Sequence, residues 1–118
     1  MAEGLFRDLT RGRGEYVVLS AGTSALDGQP PSAFAIRAMA ERGIDISAQQ
    51  SRALSPDHVK RADYIFGMGQ AHVDTVALLY PQAAEKTLRL PDLDDSLPEH
   101  RKDIPDPTGQ GIEVYREC

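Results

Sequence analysis

The chain has 118 residues, 41% apolar and 26% charged, with a formal net charge of −5, which suits one globular domain with a modest core. The acidic balance argues against nucleic acid or an acidic membrane surface as partner, because both need a basic face, although one local anion site can sit on an acidic protein. The lone cysteine, Cys118, excludes an internal disulfide and points to a cytoplasmic setting; no run approaches the roughly 18 apolar residues of a membrane span, and Met1–Leu9 is too polar for a secretory signal.

Residues 2–10 predict a helix with Leu5, Phe6 and Leu9 on its apolar face and no capping residue ahead of it. Arg11-Gly12-Arg13-Gly14 is a turn. Tyr16-Val17-Val18-Leu19 is an apolar run between Gly14 and Gly22, the pattern of a buried parallel strand. A Gly-, Ser- and Pro-rich loop, Ser20–Pro31, comes next. Ser32 is placed to cap a helix running to about Arg42, with Phe34, Ile36, Ala38 and Met39 inward and Gly43 behind it.

Ile44–Ile46 reads as a short extended piece. Ser55-Pro56-Asp57 is a helix start: an N-cap, a proline at the first helical position and an acid in the first turn. Asp63–Met68 predicts a second buried strand, residues 70–80 a helix with Val73, Val76, Ala77 and Leu79 or Tyr80 inward, and Lys86–Leu90 a third, weaker strand. Pro91–Pro107 is a long polar loop with four prolines and a cluster of acids, and Gly109–Cys118 opens a final helix.

Strands alternating with helices predict an α/β, three-layer fold with a small parallel sheet. Ligands in such sheets sit beyond the carboxyl ends of the strands. The loops after the first and third strands, Ser20–Pro31 and Pro91–Pro107, are therefore the candidate site loops.

Five segments, in order, resemble the low-molecular-weight protein tyrosine phosphatases. Met1-Ala2-Glu3 matches the M-A-E that usually succeeds that family's phosphate loop, C-x5-R-S-P. Ser20-Ala21-Gly22-Thr23, Gly43-Ile44-Asp45-Ile46-Ser47 and Asp63–Met68 match its S-A-G-T, G-I-D-x-S and D-x-I-x-x-M segments. Asp106-Pro107-x-Gly109 with Glu113-Val114-Tyr115 matches its late D-P loop and final helix.

The resemblance implies cysteinyl-phosphate chemistry. A thiolate attacks phosphorus, loop N–H groups and an arginine hold the oxygens, and an aspartic acid protonates the leaving group and later helps activate water. The position that matches the aspartic acid is Asp106. By pattern alone Asp-Pro is an ordinary turn signal. Asp103 lacks a proline after it and reads as a solvated loop acid. The implied substrates are phosphorylated proteins, on tyrosine or arginine, or small phosphate esters, with no cofactor.

The sequence departs from the family at the nucleophile. No C-x5-R occurs in it, Cys118 comes after the D-P loop, and Arg7, Arg11 and Arg13 lie after the matched position. The expectation is a partial phosphatase domain over 1–118, lacking the first central strand of the sheet and inactive in this form, with Met1 the internal Met of S-P-M-A-E. Open strand edges would then make the chain poorly stable or prone to aggregate. The alternatives are a non-catalytic pseudophosphatase or interaction module and, ranked last, an arsenate reductase, which needs more cysteines.

Tyrosine-directed members place aromatic residues after the second strand and after D-P. Here Leu26 and Asp27 occupy the first region, and Thr108 stands after Asp106-Pro107 as the candidate substrate wall. His58, His72 and His100 share no metal spacing, so His72 reads as a surface or capping histidine. Asp92, Asp94 and Asp95 lack a calcium-loop pattern and read as a solvated loop.

Overall fold

The computed structural model describes residues 1–99 and 102–118; His100 lies outside them. The chain divides into two compact units, Met1–Ala53 with Pro107–Cys118, and Leu54–Asp106.

The first unit holds α1 (Ala2–Leu9), α2 (Ala33–Ala40) and, near the C-terminus, the short α5 (Ile112–Glu117). No side chain caps α1, as its sequence predicts. Its inward face differs from the expected one. Glu3 and Gly4 are buried, while Phe6 and Leu9 are 42% and 69% exposed. Gly4 explains the inversion: a Cβ there would meet the Ile46 side chain at 2.6 Å, so the helix rests on the 44–46 segment at its glycine. Ser32 caps α2, accepting the Ala35 N–H at 3.2 Å, and the helix stops at Ala40, ahead of Gly43 at φ +74°. Ala35, Ala38, Met39, Ile46 and Tyr115 form the core, with Ile46 only 1% exposed. Phe34, expected inside, is 40% exposed and meets the Tyr115 ring at a tilt, 5.8 Å between centroids.

The predicted strand at Tyr16–Leu19 does not form. Tyr16, Val17 and Leu19 are 59%, 89% and 52% exposed, and the segment belongs to no strand. A strand needs a hydrogen-bonded neighbour; here the Arg7 guanidinium donates to the Val18 carbonyl at 2.7 Å instead. The loop after it is clasped by residues 51–53. The Asp27 carboxylate accepts the Ala53 N–H at 2.8 Å, the Ser51 hydroxyl donates to the Leu26 carbonyl, and Gly22 forms a parallel bridge with Ala53.

The second unit holds α3 (Pro56–Arg61), β1 (Ile65–Gly67), α4 (Gln70–Leu79), a 3-10 turn over Pro81–Lys86, and β2 (Thr87–Arg89). Ser55 caps α3 through the His58 N–H at 3.3 Å, with Pro56 in the first turn. The two strands pair in parallel, with Ile65 opposite Thr87 and Gly67 opposite Arg89. Both are shorter than the sequence predicts, and Tyr64 is 69% exposed. α4 packs against both strands. Val59, Val76 and Ala83 form the core, joined by Leu54, Ile65 and Tyr80. Leu79 is 58% exposed, so Tyr80 is the inward member of that pair. The fold class expected from the sequence, α/β with a small parallel sheet, is the one found.

Candidate functional site

The Pro91–Asp106 loop leaves β2 and is tied back to the carboxyl ends of both strands of its unit. Beyond β1, the Met68 carbonyl accepts the Ile104 N–H at 2.8 Å. The first residue of α4, Gln70, donates its N–H to the Asp103 carboxylate at 2.9 Å. The N-cap of α4 is Gly69, which has no side chain to cap with, and Asp103 takes over that role from a distant part of the chain. Its carboxyl packs so closely on Gly69 that a Cβ there would lie 3.2 Å from Cγ. Asp103 is 63% exposed, as expected of a loop acid, but it is bonded rather than merely solvated.

At the end of β2, Arg89 gathers the acids of the loop. Its guanidinium donates to both Asp92 oxygens, to Glu99 at 3.0 Å and to Asp103 at 3.3 Å. The Arg89 side chain is only 11% exposed, and Lys102 adds a second cation 3.6 Å from Asp92. The hydrogen bonds to Asp92, then Glu99, then Asp103, push the Arg89 pKa further up, so it stays charged at every working pH. The Arg89 bond in turn holds Asp92 below its ordinary value, with Lys102 helping. Asp94 is also lowered, by the hydroxyl and N–H of Ser96. Two of the three acids read as solvated thus have structural partners.

Asp106 is the last residue of this unit and is exposed; Thr108 lies in the other unit and is also exposed. Pro107 accepts the Gln110 N–H at 2.9 Å in the turn that leads to α5. Leu26 is 74% exposed. His72 is a capping histidine, its Nδ1 accepting the Gly69 N–H at 3.2 Å. Among the described residues no group of three or more His, Cys, Asp or Glu is arranged to hold a metal. A cleft in the first unit, lined by Arg7, Asp8, Arg11 and Asp45 among others, carries charges of both signs and includes neither Asp106 nor Thr108.

Arg89 is a functional candidate that sequence patterning does not single out. The available signal is an arginine ending a predicted strand, with Asp92 in the next turn and an acid-rich loop beyond it.

The model of the family "Low molecular weight phosphotyrosine protein phosphatase" matches residues 1–118. A Ralstonia solanacearum protein described as "Probable low molecular weight protein-tyrosine-phosphatase EpsP" is 35% identical over the whole chain, which spans 75% of that relative. A protein-arginine-phosphatase of Geobacillus stearothermophilus is 34% identical over 84% of the chain and 64% of its own length. Among solved structures, the YwlE arginine phosphatase of the same organism superposes with a TM-score of 0.86 at 31% identity, covering 98% of this chain and 71% of that one. The low molecular weight protein tyrosine phosphatase from T. tengcongensis superposes at 0.87 and 30% identity, covering 98% and 78%. The α/β fold is thus shared with phosphatases, and the chain belongs to the low molecular weight phosphotyrosine protein phosphatase family.

Proposed function

We propose that residues 1–118 are the scaffold and acid-loop portion of one protein phosphatase domain, with Asp106 as the general acid and base. The observation that carries this reading is the family match over the whole chain, combined with Asp106-Pro107-x-Gly109 in the loop after β2.

The chemistry runs in two steps. A cysteine thiolate forms an S–P bond as the P–O or P–N bond to the leaving group breaks, and the Asp106 carboxylic acid gives its proton to that leaving atom. Water then attacks phosphorus, Asp106 takes its proton, and the S–P bond breaks to release phosphate and thiolate. These residues contain neither the nucleophile nor the C-x5-R loop, so by themselves they do not turn over.

The substrate class is a phosphorylated protein, on tyrosine or arginine. Thr108 after the D-P pair, in place of an aromatic residue, supports a slot less suited to gripping a phenyl ring. No described helix is long and apolar enough to cross a membrane, and we place the activity in the cytoplasm on the lone, exposed thiol.

The test compares the 118-residue chain with the product that also translates the codons preceding Met1. The longer product is expected to carry an in-frame C-x5-R-S-P and to hydrolyse aryl or arginine phosphates, while the shorter does not. A longer product without that motif that still binds phosphoproteins would favour the non-catalytic interaction module.

A further inference from the structure

Arg89 is the one cation shared by three acids of the loop that leads to Asp106 among the ion pairs of the described residues. Two features set it apart from an ordinary surface pair, which contributes little. It is largely covered, its side chain 11% exposed, and it is bidentate to Asp92, the geometry in which arginine is strongest and most directional. Its third acid, Asp103, continues the chain of bonds to the first N–H of α4, and the next residue, Ile104, is fastened to Met68 at 2.8 Å. From there only Pro105 separates the fastened backbone from Asp106.

The loop opens with a 3-10 turn over Leu90–Leu93, in which Pro91 is buried and Leu93 is 63% exposed. Local backbone bonds follow from Leu97 to Asp94 and from Lys102 to Glu99; Arg89 adds the side-chain tie between this loop and the end of β2. Without the guanidinium, Asp92, Glu99 and Asp103 would face one another as like charges, and among the described residues Lys102 would pair with Asp92. The loop would lose its side-chain tie to the end of β2.

We propose that Arg89 is a positioning residue: it fixes the acid loop so that Asp106 meets the leaving group at hydrogen-bonding distance. The inference rests on the reading of Asp106 as proton donor. A misplacement of about 1 Å is enough to cost about 100-fold in rate.

The experiment uses the phosphatase carrying the C-x5-R segment together with residues 1–118. Aryl phosphates with leaving groups of graded basicity are turned over by wild type, Asp106→Asn, Arg89→Gln and Arg89→Lys. Loss of a proton donor hurts basic leaving groups most, so Asp106→Asn sets the signature. Arg89→Gln is expected to lower kcat/KM about 10- to 100-fold on phenyl phosphate, and less on the most acidic leaving group. Arg89→Lys is expected to recover part of the loss.

A loss of kcat/KM that is uniform across leaving groups, a change in KM alone, or no change overturns the positioning role while leaving Asp106 in place. If Asp106→Asn itself lacks the graded signature, the acid reading falls, and the Arg89 proposal with it. Should Arg89→Gln unfold its unit, Asp103→Ala, which leaves Arg89 its two other acids, carries the same test.

Discussion

The Asp103 carboxylate accepts the backbone N–H of Gln70 at 2.9 Å across 33 residues of chain. Helix N-termini normally find their acceptor in the residue just before them. Here Gly69 occupies that place, so the helix after β1 is finished by the loop after β2. Asp103→Ala removes this acceptor and one arm of the Arg89 cluster. We expect it to cost about 0.5–2 kcal/mol, read as a lower denaturant midpoint and faster exchange of the Gln70 amide. An unchanged Gln70 amide would mean that the capping bond does not form in solution.

Asp92 and Asp94 are held below their ordinary value of 3.8 by Arg89 and Ser96 respectively. A carboxyl lowered in the folded state binds its proton more readily when unfolded, so its contribution is complete above 3.8 and fades as pH falls through the lower folded value. Arg89 keeps its charge throughout, so the acids are the titrating partners. As pH drops below 3.8, the Ile104 amide is expected to lose protection before the Val59 and Val76 amides, after correction for intrinsic exchange. Simultaneous loss in all three would contradict a locally acid-sensitive loop.

Ile46 is the most buried large side chain of the first unit, at 1% exposure. It packs with Met39 and Tyr115 and takes up the space left by Gly4. Ile46→Ala is expected to destabilise by about 2–5 kcal/mol, measured by urea denaturation. A loss under about 1 kcal/mol would mean that the cavity collapses or that the site is already open.

Tyr16, Val17 and Leu19 present an exposed apolar stretch with little backbone pairing of its own. Such a stretch is a template for association. The 118-residue chain is expected to self-associate at micromolar concentration in sedimentation experiments, and Val17→Lys to reduce this by like-charge repulsion without lowering stability. A monodisperse wild-type chain would contradict it.

Local signals were legible where one residue type has one structural use. Ser32, Ser55 and Pro56 marked helix starts that the structure keeps, and Val76 and Ile65 lie in the expected core. Patterning failed at Tyr16–Leu19, because strand formation depends on a neighbour that the run itself does not encode. On α1 it held for Leu5, which packs against the core, and failed for Phe6 and Leu9, because a glycine and a buried glutamate, held by Ser20 at 3.1 Å, share the inward face in their place. At the candidate site, Asp106 was legible as half of an Asp-Pro motif. The roles of Arg89 and Asp103 were not, since their partners lie up to 33 residues away and only the fold brings them together.

On the function proposed above, Asp106 is the proton donor of a cysteine-dependent phosphatase. The most direct measurement is the kcat of Asp106→Asn for phenyl phosphate in the protein that carries the C-x5-R segment. We predict a fall of about 10²- to 10⁴-fold with KM little changed. An unaltered kcat would contradict the account and return Asp106 to the role of a turn residue.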